Sequence, residues 1–369
     1  MPGERGLVCL VTGGCGFLGK HLVRLLAERS KELREIRVLD LVLDRELETL
    51  STASLRVSLM QGDITSHGVM AHAVEGADLV FHLASVIDFL GLIPESQILS
   101  VNVQGTQSVI DACVQHDVPT LVYTSSMEAV GPNSKWQPFH RGNEDTVYEF
   151  APASVYAKSK SQAEELIRGA NGMKTASGKT LFTLALRPLG SYGENFPLLC
   201  NLVERASRCR GHLFRFSSAD ACLGRVYVGN VAWMHLLAAR ALREKPGLVG
   251  GQVYYCYDDS PDKSFLDFYM EFLAPCGVKL VGRLRPVLPF FLVFLLALLV
   301  ELVSLALSPF CTFAPVLNRY TLLMSCSTFT VRTSKAARHF GYRPLYTWEQ
   351  SRARTIRWLQ SLARPGQSS

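Results

Sequence analysis

The sequence predicts an α/β fold in which helices cover both faces of a doubly wound parallel sheet. Over roughly the first half of the chain, short apolar runs of strand length alternate with stretches of helical periodicity, and a glycine cluster follows the first run. Strands that alternate with helices pair in parallel through right-handed crossovers, which place helices on both faces. The chain has 369 residues, of which 48% are apolar, so it exceeds the usual size of one domain. We therefore expect a smaller second region beside the sheet.

The predicted elements follow the chain in order. A strand at Leu7–Thr12 precedes a glycine loop and a helix at Phe17–Arg29, where four leucines recur at helical spacing. Further strands are predicted at residues 36–41, 55–59, 79–83, 120–125 and 181–187. After Pro188 the pattern loosens, and we assign a helix at 197–210 and a strand at 252–257 to the smaller region.

Charge and cysteine content exclude other classes of protein. The net charge is +6, and no run of Lys and Arg is interleaved with aromatic residues as a nucleic-acid groove requires, so we expect no nucleic-acid partner. The ten cysteines include no C-x-x-C pair, which indicates reduced thiols facing the cytosol and no metal site. The first ten residues do not have the pattern of a secretory signal.

One late segment is too apolar for a solvated surface. Residues 286–315 contain one charged residue, Glu301, although 19% of the whole chain is charged. The stretch 287–307 has 21 residues, of which 14 precede Glu301, and a spanning helix needs roughly 20 uninterrupted apolar residues. We therefore favour a helix that dips into the bilayer, with a full span and a buried core helix as the alternatives. The segment is bracketed by Pro286, Pro289, Pro309 and Pro315, and Lys279, Arg283 and Arg285, which could meet anionic lipid, precede it.

The glycine cluster has the setting of a dinucleotide-binding loop. Residues 12–19 read TGGCGFLG and lie between the first predicted strand and the first helix. Glycines there let the backbone approach a pyrophosphate at a helix N-terminus, whereas a chance turn is the alternative. Asp40 ends the second strand, where a carboxylate can accept hydrogen bonds from the adenosine ribose hydroxyls. Because Leu41 follows in place of a base, we expect NAD rather than NADP, although Arg37 and Arg45 are near in sequence.

Tyr156 and Lys160 are four residues apart, which places both on one face of a predicted helix. A phenol beside an ammonium and the positive nicotinamide ring of an oxidised cofactor can lose its proton and then accept one from a substrate hydroxyl. By itself such a pair is most often part of a solvated surface. Here it follows the glycine loop and the hydroxyl-rich end of the fifth strand at 123–126, at the sheet edge where ligands bind.

These motifs resemble those of the extended short-chain dehydrogenase/reductases. The matching segments are TGGCGFLG, Gly62-Asp63-Ile64, His82-Leu83-Ala84, Arg187-Pro188 with Tyr192-Gly193, and 226–232. Within that branch the chain resembles the 3β-hydroxysteroid dehydrogenase/Δ5-Δ4 isomerases from about residue 7 to 362. This likeness rests on YTSSMEAVGPN at 123–133, VYVGNVAW at 226–233, Asp258-Asp259 after two tyrosines, and the late apolar segment. Length and loops are most similar to members that act on C27 sterols in bile-acid synthesis.

The resemblance implies roles for particular residues. Ser126 would hold the substrate oxygen, Tyr156 would exchange its proton, and Lys160 would tune Tyr156 and bind the nicotinamide ribose, with Ser125 as the alternative to Ser126. Tyr254 and Asp258 would carry the isomerisation, although a straight strand would separate them by roughly 13 Å; a core tyrosine and a turn residue are the alternative. The implied cofactor contacts are Gly13, Gly16, Phe17, Leu18, Gly19, Asp40, Asp63, Ile64, Tyr156, Lys160 and Pro188.

The resemblance also implies the reaction and its place in the cell. The expected activity is NAD-dependent oxidation of the 3β-hydroxyl of Δ5 sterols, including 7α-hydroxylated C27 sterols, followed by isomerisation to the 3-oxo-Δ4 product. We expect an endoplasmic reticulum membrane protein whose catalytic part faces the cytosol, and a homo-oligomer stays an open alternative. The expected parts are an NAD-binding domain at 1–189, a substrate-side region at 190–285, a membrane segment at 286–315 and a soluble C-terminal segment at 316–369. A nucleotide-sugar epimerase or dehydratase is the alternative on the same scaffold, but a water-soluble sugar gives no reason for the apolar segment.

Overall fold

The alternating apolar runs form a parallel sheet. The computed structural model describes residues 6–88, 91–282, 286–307 and 317–362. The strands in chain order are β1 (Leu7–Thr12), β2 (Leu33–Asp40), β3 (Arg56–Gln61), β4 (Leu79–His82), β5 (Thr120–Thr124), β6 (Phe139–Gly142), β7 (Phe182–Pro188), β8 (Gly190–Tyr192), β9 (His212–Phe214), β10 (Arg225–Tyr227), β11 (Val253–Cys256), β12 (Lys279–Val281) and β13 (Phe329–Val331). Seven of them form the central sheet in the order β11-β7-β5-β4-β1-β2-β3.

The order of the strands places a ligand-binding crevice after β1. The chain starts at β1 inside the sheet, runs outward through β2 and β3, and then returns to β4 on the other side of β1. All of these pairs are parallel. The direction of winding therefore reverses between β1 and β4, and ligands of doubly wound sheets bind at that reversal, beyond the carboxyl ends of the strands.

Helices cover both faces of the sheet. In chain order they are α1 (Phe17–Arg29), α2 (His67–Val74), α3 (Glu95–Leu99), α4 (Gly105–Gln115), α5 (Val155–Gly169), α6 (Pro197–Arg208), α7 (Val228–Glu244), α8 (Pro246–Val249), α9 (Phe265–Leu273), α10 (Phe290–Leu307), α11 (Arg319–Cys326), α12 (Lys335–Phe340) and α13 (Trp348–Leu362). Apolar side chains of α1 and α7 form the core on one face, and those of α2, α4 and α5 form the core on the other. This confirms the predicted doubly wound α/β fold.

The strand predicted at 252–257 lies in the central sheet and not in the smaller region. β11 pairs in parallel with β7 and forms one edge of the sheet. Helix α7 also packs against β5 and β7. The chain therefore returns to the sheet after Pro188, so the predicted boundary at residue 189 does not separate the sheet from the substrate side. The residues of a short buried strand do not predict its partner strand, because strand pairing depends on contacts between residues that are distant in sequence.

The smaller region packs beside the carboxyl edge of the sheet. Its short parallel pairs are β8 with β10 and β9 with β12. Aromatic and aliphatic side chains of α6, α9 and α13 form a third core cluster around Tyr192 and Tyr227. This cluster closes one side of the crevice, since Phe196 of this region contacts Phe17 at the start of α1 with ring centroids 5.1 Å apart.

The apolar helix α10 lies largely outside the hydrophobic core. It has 18 residues and a mean hydropathy of 2.8, and only 11% of it is buried, which argues against a buried core helix. Within the described part of the chain it is the one helix long and apolar enough to cross a membrane. Its length of about 27 Å is close to the roughly 30 Å of a bilayer's hydrocarbon core. Arg283, Arg285, Pro309 and Pro315 of the predicted segment lie outside the described residues.

Candidate active site

The glycine loop after β1 is as tightly packed as a dinucleotide-binding turn requires. Gly13 has a φ of +70°, and a Cβ there would lie 2.6 Å from the backbone nitrogen of Ala84. A Cβ on Gly19 would lie 2.2 Å from the carbonyl oxygen of Gly13. Larger residues would therefore push helix α1 away from the end of β1.

The start of α1 leaves backbone donors free for an anion. Gly16 is the N-cap residue, and its position has no side-chain cap. The first amides of a helix have no partner within the helix, so those of Phe17, Leu18 and Gly19 are directed toward the loop. The Cβ-free loop beside them gives a phosphate room to approach. These residues fit the pyrophosphate of a dinucleotide.

Asp40 lies at the end of β2 beside the same loop. Its carboxylate accepts hydrogen bonds from the backbone amides of Cys15 at 2.9 Å and of Leu41 at 2.8 Å. It lines a groove of about 630 Å³ together with Cys15, Gly16, Lys20, Val42, Leu43, Asp44 and Glu46. Arg37 donates to Glu35 and to the carbonyls of Ala73 and Glu75 at the C-terminal end of α2, and Arg45 pairs with Glu48. Arg37 and Arg45 could have favoured NADP by binding a 2′-phosphate. Both instead bind partners other than Asp40.

The remaining predicted cofactor contacts lie at the carboxyl edge of the sheet. Asp63 and Ile64 follow β3, where Asp63 accepts a hydrogen bond from the amide of Thr65 at 2.8 Å. The side chain of Ile64 is buried close to Gly105. Pro188 ends β7. All three thus lie at the carboxyl edge of the sheet, where ligands of doubly wound folds bind.

Ser126, Tyr156 and Lys160 meet where β5 ends. Helix α5 is capped by Ser154, whose hydroxyl accepts from the amide of Ala157 at 3.0 Å, and both Tyr156 and Lys160 lie on its buried face. The Ser126 hydroxyl shares a hydrogen bond with the Tyr156 phenol. Lys160 Nζ donates to the Thr124 carbonyl at 2.9 Å and lies 6.0 Å from the centre of the Tyr156 ring. The three groups could therefore act on one oxygen.

The structure favours Ser126 over Ser125 as the serine of this cluster. The Ser125 hydroxyl donates instead to Glu164 Oε2 at 2.6 Å, and the same carboxylate binds Arg187. The Ser125 hydroxyl is therefore bound to the buried ion pair of Glu164 and Arg187 and not to Tyr156. Sequence reasoning did not identify Glu164, which follows Lys160 by one helical turn.

Burial sets the protonation of the cluster. It lowers the pKa of Lys160 to about 7, against the opposing attraction of Glu164 and Glu128. It raises the pKa of Tyr156 above the ordinary value, and the charge of Glu128 raises it further, whereas the hydrogen bond from Ser126 lowers it. The phenol is therefore protonated at neutral pH in the free protein. The phenolate expected from the sequence depends on the positive nicotinamide ring of the oxidised cofactor as well as on Lys160.

A carboxyl group that the sequence analysis missed lies beside the cluster. Glu128 belongs to the single turn Met127–Ala129 that follows Ser126, and its carboxyl accepts a hydrogen bond from the hydroxyl of Tyr320 in α11. Burial raises the pKa of Glu128 to about 7, although the Tyr320 hydrogen bond and the charge of Lys160 lower it. The sequence signal is an acidic residue two positions after the last hydroxyl residue of the strand end, Ser126.

Tyr254 lies on the other face of the sheet from this cluster. Tyr255 contacts Arg187, the partner of Glu164 on α5, so Tyr254 points the opposite way. The Tyr254 hydroxyl pairs with His339 Nδ1 of α12 at 2.9 Å. The structure therefore does not bring it to Tyr156.

Asp258 lies in the turn after β11, and its carboxylate accepts three hydrogen bonds. Its carboxylate accepts from the amide of Tyr227 at 2.8 Å, from Asn230 Nδ2 at 2.8 Å and from the amide of Ser260 at 3.0 Å. Burial raises its pKa, and these hydrogen bonds oppose that rise. These hydrogen bonds hold the start of α7, and a role of Asp258 in isomerisation stays a prediction.

The doubly wound sheet, the glycine loop and the Ser-Tyr-Lys cluster define a dinucleotide-dependent enzyme of the extended short-chain dehydrogenase/reductase class. A family model described as "3-beta hydroxysteroid dehydrogenase/isomerase family" matches residues 10–289. The chain belongs to the 3-beta hydroxysteroid dehydrogenase/isomerase family.

Curated relatives agree with this family over nearly the whole chain. The chain is 53% identical over 356 residues to 3 beta-hydroxysteroid dehydrogenase type 7 of Mus musculus, covering 96% of each chain. It is 53% identical over 355 residues to the Homo sapiens protein of the same name, again covering 96% of each. The resemblance found in the sequence is thus confirmed.

Two solved structures with the same fold are enzymes named for sugar-nucleotide substrates. A dTDP-glucose 4,6-dehydratase from Streptomyces venezuelae, solved with NAD, has a TM-score of 0.67 at 21% identity, with 95% of this chain and 96% of that chain covered. A UDP-galactose 4-epimerase has a TM-score of 0.68 at 20% identity, with 97% and 100% covered. At this identity the likeness shows the fold alone.

Proposed function

We propose that this protein oxidises the 3β-hydroxyl group of a Δ5 steroid with NAD and that the 3-oxo-Δ5 product is isomerised to the 3-oxo-Δ4 steroid. The observation that carries the oxidation is the cluster of Ser126, Tyr156 and Lys160 beside the glycine loop. The names of the curated relatives support a steroid substrate. The resemblance to members acting on C27 sterols supports a 7α-hydroxylated C27 sterol as the substrate of this chain.

Each residue of the cluster has a distinct task in the oxidation. Ser126 donates a hydrogen bond to the substrate oxygen and holds it against Tyr156. Tyr156 accepts the hydroxyl proton as the hydrogen on C3 leaves as hydride. Lys160, fixed by the Thr124 carbonyl, supplies the positive charge that lowers the proton affinity of the phenol and a donor for the nicotinamide ribose.

NAD fits the glycine loop and Asp40. The amides at the start of α1 would hold the pyrophosphate, and Asp40 would accept from the adenosine ribose hydroxyls. Asp63, Ile64 and Pro188 would border the adenine and nicotinamide ends. When bound, NAD supplies the hydride acceptor and a positive ring.

We predict NAD over NADP by at least tenfold in kcat/KM. A 2′-phosphate would meet the Asp40 carboxylate, and Lys20, which lines the same groove, is already paired with Asp44 at 2.6 Å. Steady-state kinetics with both cofactors measure this preference. Asp40→Ala should raise the KM for NAD, while Asp78→Ala, at a carboxylate that binds the amide of Val8, serves as the matched control. A preference for NADP, or an Asp40→Ala enzyme with unchanged affinity for NAD, would contradict this role of Asp40.

We also propose that α10 embeds the protein in a membrane, that of the endoplasmic reticulum, with the catalytic part in the cytosol. The supporting observation is the exposure of its apolar side chains, among them Phe291, Leu295, Leu299 and Leu305. Glu301, the charged residue of α10, is paired, because its carboxylate accepts a hydrogen bond from Arg319 Nε at 2.7 Å. The neutralised pair lowers the cost of a carboxylate within the bilayer.

The position of α10 suits a substrate that arrives from lipid. Trp136, in the loop after the active-site turn, contacts Phe290 with ring centroids 5.4 Å apart. Arg319 binds the Glu301 of α10, and its neighbour Tyr320 binds Glu128 at the active site. The membrane helix thus adjoins the site, so a water-insoluble sterol could enter without crossing solvent.

Lysine substitutions on α10 should release the protein from membranes. We expect Leu295→Lys, Leu299→Lys and Leu302→Lys together to move it to the soluble fraction, because each lysine costs about 2.5–3.5 kcal/mol in the bilayer centre. All three leucines are more than half exposed, at 55%, 57% and 55%, so the folded core loses nothing. Cell fractionation with carbonate extraction is the measurement. Leu248→Lys and Leu362→Lys, exposed leucines outside α10, are the matched controls and should stay in membranes.

A triple variant that still pellets with membranes would refute the anchor at α10. Release of the unaltered protein by carbonate would do the same.

A comparison of two substrate classes tests the proposed function. We expect NADH and the 3-oxo steroid to form when the purified protein and NAD meet a 3β-hydroxy-Δ5 C27 sterol, and we expect chromatography to find UDP-galactose and dTDP-glucose unchanged. The sugars are followed by product analysis, because an epimerase or dehydratase regenerates its NAD and forms no net NADH. Turnover of a sugar nucleotide with none of the sterol would establish the alternative, an epimerase or dehydratase.

A further inference from the structure

Two short parallel strands of the smaller region, β9 and β12, form a ribbon with one buried and one outer face. Leu213 and Leu280, the middle residues of the two strands, pack in the third core cluster. Because side chains of a strand alternate between its two faces, the residues on either side of these leucines point outward. The outer face of the β9–β12 ribbon therefore consists of two pairs of residues that lie opposite each other, His212 with Lys279 and Phe214 with Val281.

The second pair exposes apolar side chains on a face that is ordinarily polar. Phe214 is 42% exposed and Val281 is 36% exposed. The outer face of a sheet in contact with water usually carries polar residues. Single exposed apolar residues are common, but these two lie directly opposite each other at the ends of both strands, so they form one patch.

This apolar patch lies beside the start of the membrane helix α10. Both strands of the ribbon run in the same direction and end at the patch. The amide of Val287 donates to the carbonyl of Arg215, the residue that follows Phe214, at 2.8 Å. Val287 is itself 44% exposed, and α10 begins three residues later at Phe290. The patch therefore continues the exposed apolar surface of α10.

The opposite end of the ribbon is basic. Lys279 lies two residues before Val281 on the same face, and Arg210 precedes β9 by two residues. Both side chains are exposed, and neither forms an ion pair with another described residue. Their charges are thus available to an anion outside the protein.

The distance between the two ends of the ribbon fits one leaflet of a bilayer. Two residues of a strand span roughly 6.6 Å. A bilayer has a hydrocarbon core of about 30 Å and is about 40–45 Å thick with its headgroups, so the headgroup layer of each leaflet is roughly 5–8 Å. An upright ribbon whose apolar pair touches the hydrocarbon therefore places its basic end among the headgroups.

A tryptophan from another part of the chain marks the same level. Trp136 is 37% exposed, and its ring contacts Phe290 at the first turn of α10. Tryptophan is enriched where hydrocarbon meets water, because its body is apolar and its N–H can donate to water. This contact places the start of α10, and with it the apolar end of the ribbon, at the membrane interface.

We propose that the β9–β12 ribbon is a second membrane-contacting surface. Phe214 and Val281 enter the edge of the hydrocarbon core, and Lys279 and Arg210 bind anionic lipid headgroups. This inference rests on the proposed anchoring by α10 and deepens it. The inner face of the ribbon packs in the core cluster that closes one side of the crevice. Contact with the bilayer therefore holds the substrate side of the protein at the membrane surface.

Photocrosslinking to lipid tests the apolar end. The full-length protein carries benzoylphenylalanine in place of Phe214 or of Val281 and is reconstituted in vesicles of phosphatidylcholine and phosphatidylserine. The same label in place of Leu248, which is 48% exposed on α8, is the matched control. We expect the label at positions 214 and 281 to react with phospholipid about tenfold more than at position 248, because an interfacial side chain is buried among acyl chains. A label in place of Leu295 reports on α10 separately.

Removal of charge tests the basic end. Arg210→Ser combined with Lys279→Ser should lower crosslinking at position 214 about threefold or more with phosphatidylserine present, because each basic residue near an anionic surface strengthens binding about fivefold. The same substitutions should have no effect in vesicles of phosphatidylcholine alone. Arg243→Ser combined with Lys245→Ser, at exposed basic residues where α7 ends, is the matched control. NADH fluorescence titration verifies that each variant is folded.

The labelled positions distinguish failure of the ribbon from failure of the anchor. Crosslinking at 214 and 281 no higher than at 248, while position 295 reacts with lipid, would overturn the proposal and leave the anchor intact. Reaction at 214 and 281 without reaction at 295 would support the ribbon and contradict the anchor. Crosslinks from 214 to a second copy of the protein, and not to lipid, would also overturn the proposal. Serine variants that crosslink as the unaltered protein does in both kinds of vesicle would refute the contact with anionic headgroups.

Discussion

Replacement of Tyr156 by phenylalanine is expected to lower steroid oxidation at least 100-fold while the affinity for NAD changes less than about threefold. The substitution removes the phenolic oxygen that accepts the substrate proton, and a positioned proton acceptor typically contributes 10²-fold to 10⁴-fold. The ring, which lies on the buried face of α5, is kept. Initial rates of NADH formation give the loss, and titration of NADH fluorescence gives the affinity.

A second buried tyrosine provides the control for this variant. The Tyr342 hydroxyl donates to the carbonyl of Tyr257 at 2.7 Å, away from the cluster, so Tyr342→Phe removes a similar buried hydroxyl and should leave oxidation nearly unchanged. A Tyr156→Phe enzyme that keeps a tenth or more of the unaltered turnover would show that Tyr156 does not transfer the proton.

Replacement of Lys160 by methionine is expected to damage oxidation and cofactor binding together. Methionine fills a similar volume but supplies neither the charge that lowers the proton affinity of Tyr156 nor a donor to the nicotinamide ribose. A hydrogen bond from a charged group contributes about 1.5–3 kcal/mol, so the Kd for NAD should rise on the order of tenfold or more, with oxidation falling at least 100-fold. The same two measurements separate these effects.

Lys158 supplies the matched control on the same helix. It is half-exposed and pairs with Glu95 at 3.6 Å, so Lys158→Met removes a lysine from the outer face of α5 and should change neither quantity more than about twofold. If Lys160→Met bound NAD as tightly as the unaltered enzyme, the proposed ribose contact would be wrong.

Local patterns predicted much of the sheet and its first crossover. The bounds of β1 and α1 agree with the prediction to the residue, because glycines end the strand and leucines at helical spacing follow them. The edge strand β11 was assigned to the wrong region, because its place depends on pairing with β7, about 70 residues earlier in the chain. Nothing within a short apolar run specifies that partner.

In the candidate site, too, features that depend on neighbouring residues were predicted, and features that depend on residues distant in sequence were not. The spacing of Tyr156 and Lys160 was sufficient to bring them to one face of α5, and the strand end supplied Ser126. The setting of Glu128 depends on Tyr320, 192 residues later, so no local pattern shows that this acidic residue is buried. The hydrogen bonds that the Asp258 carboxylate accepts from Tyr227 and Asn230 could not be predicted either, because these donors lie 31 and 28 residues earlier in the chain.

Transfer of the hydrogen from C3 of a sterol to NAD tests the central claim most directly. The substrate would be a 7α-hydroxylated C27 sterol with a 3β-hydroxyl, a Δ5 double bond and deuterium at C3, incubated with the purified protein and NAD. The account predicts that mass spectrometry finds one deuterium in the reduced cofactor for each 3-oxo steroid formed. Sterol consumed with no deuterium in the cofactor, or no reaction with any C19 to C27 3β-hydroxy-Δ5 steroid, would contradict it.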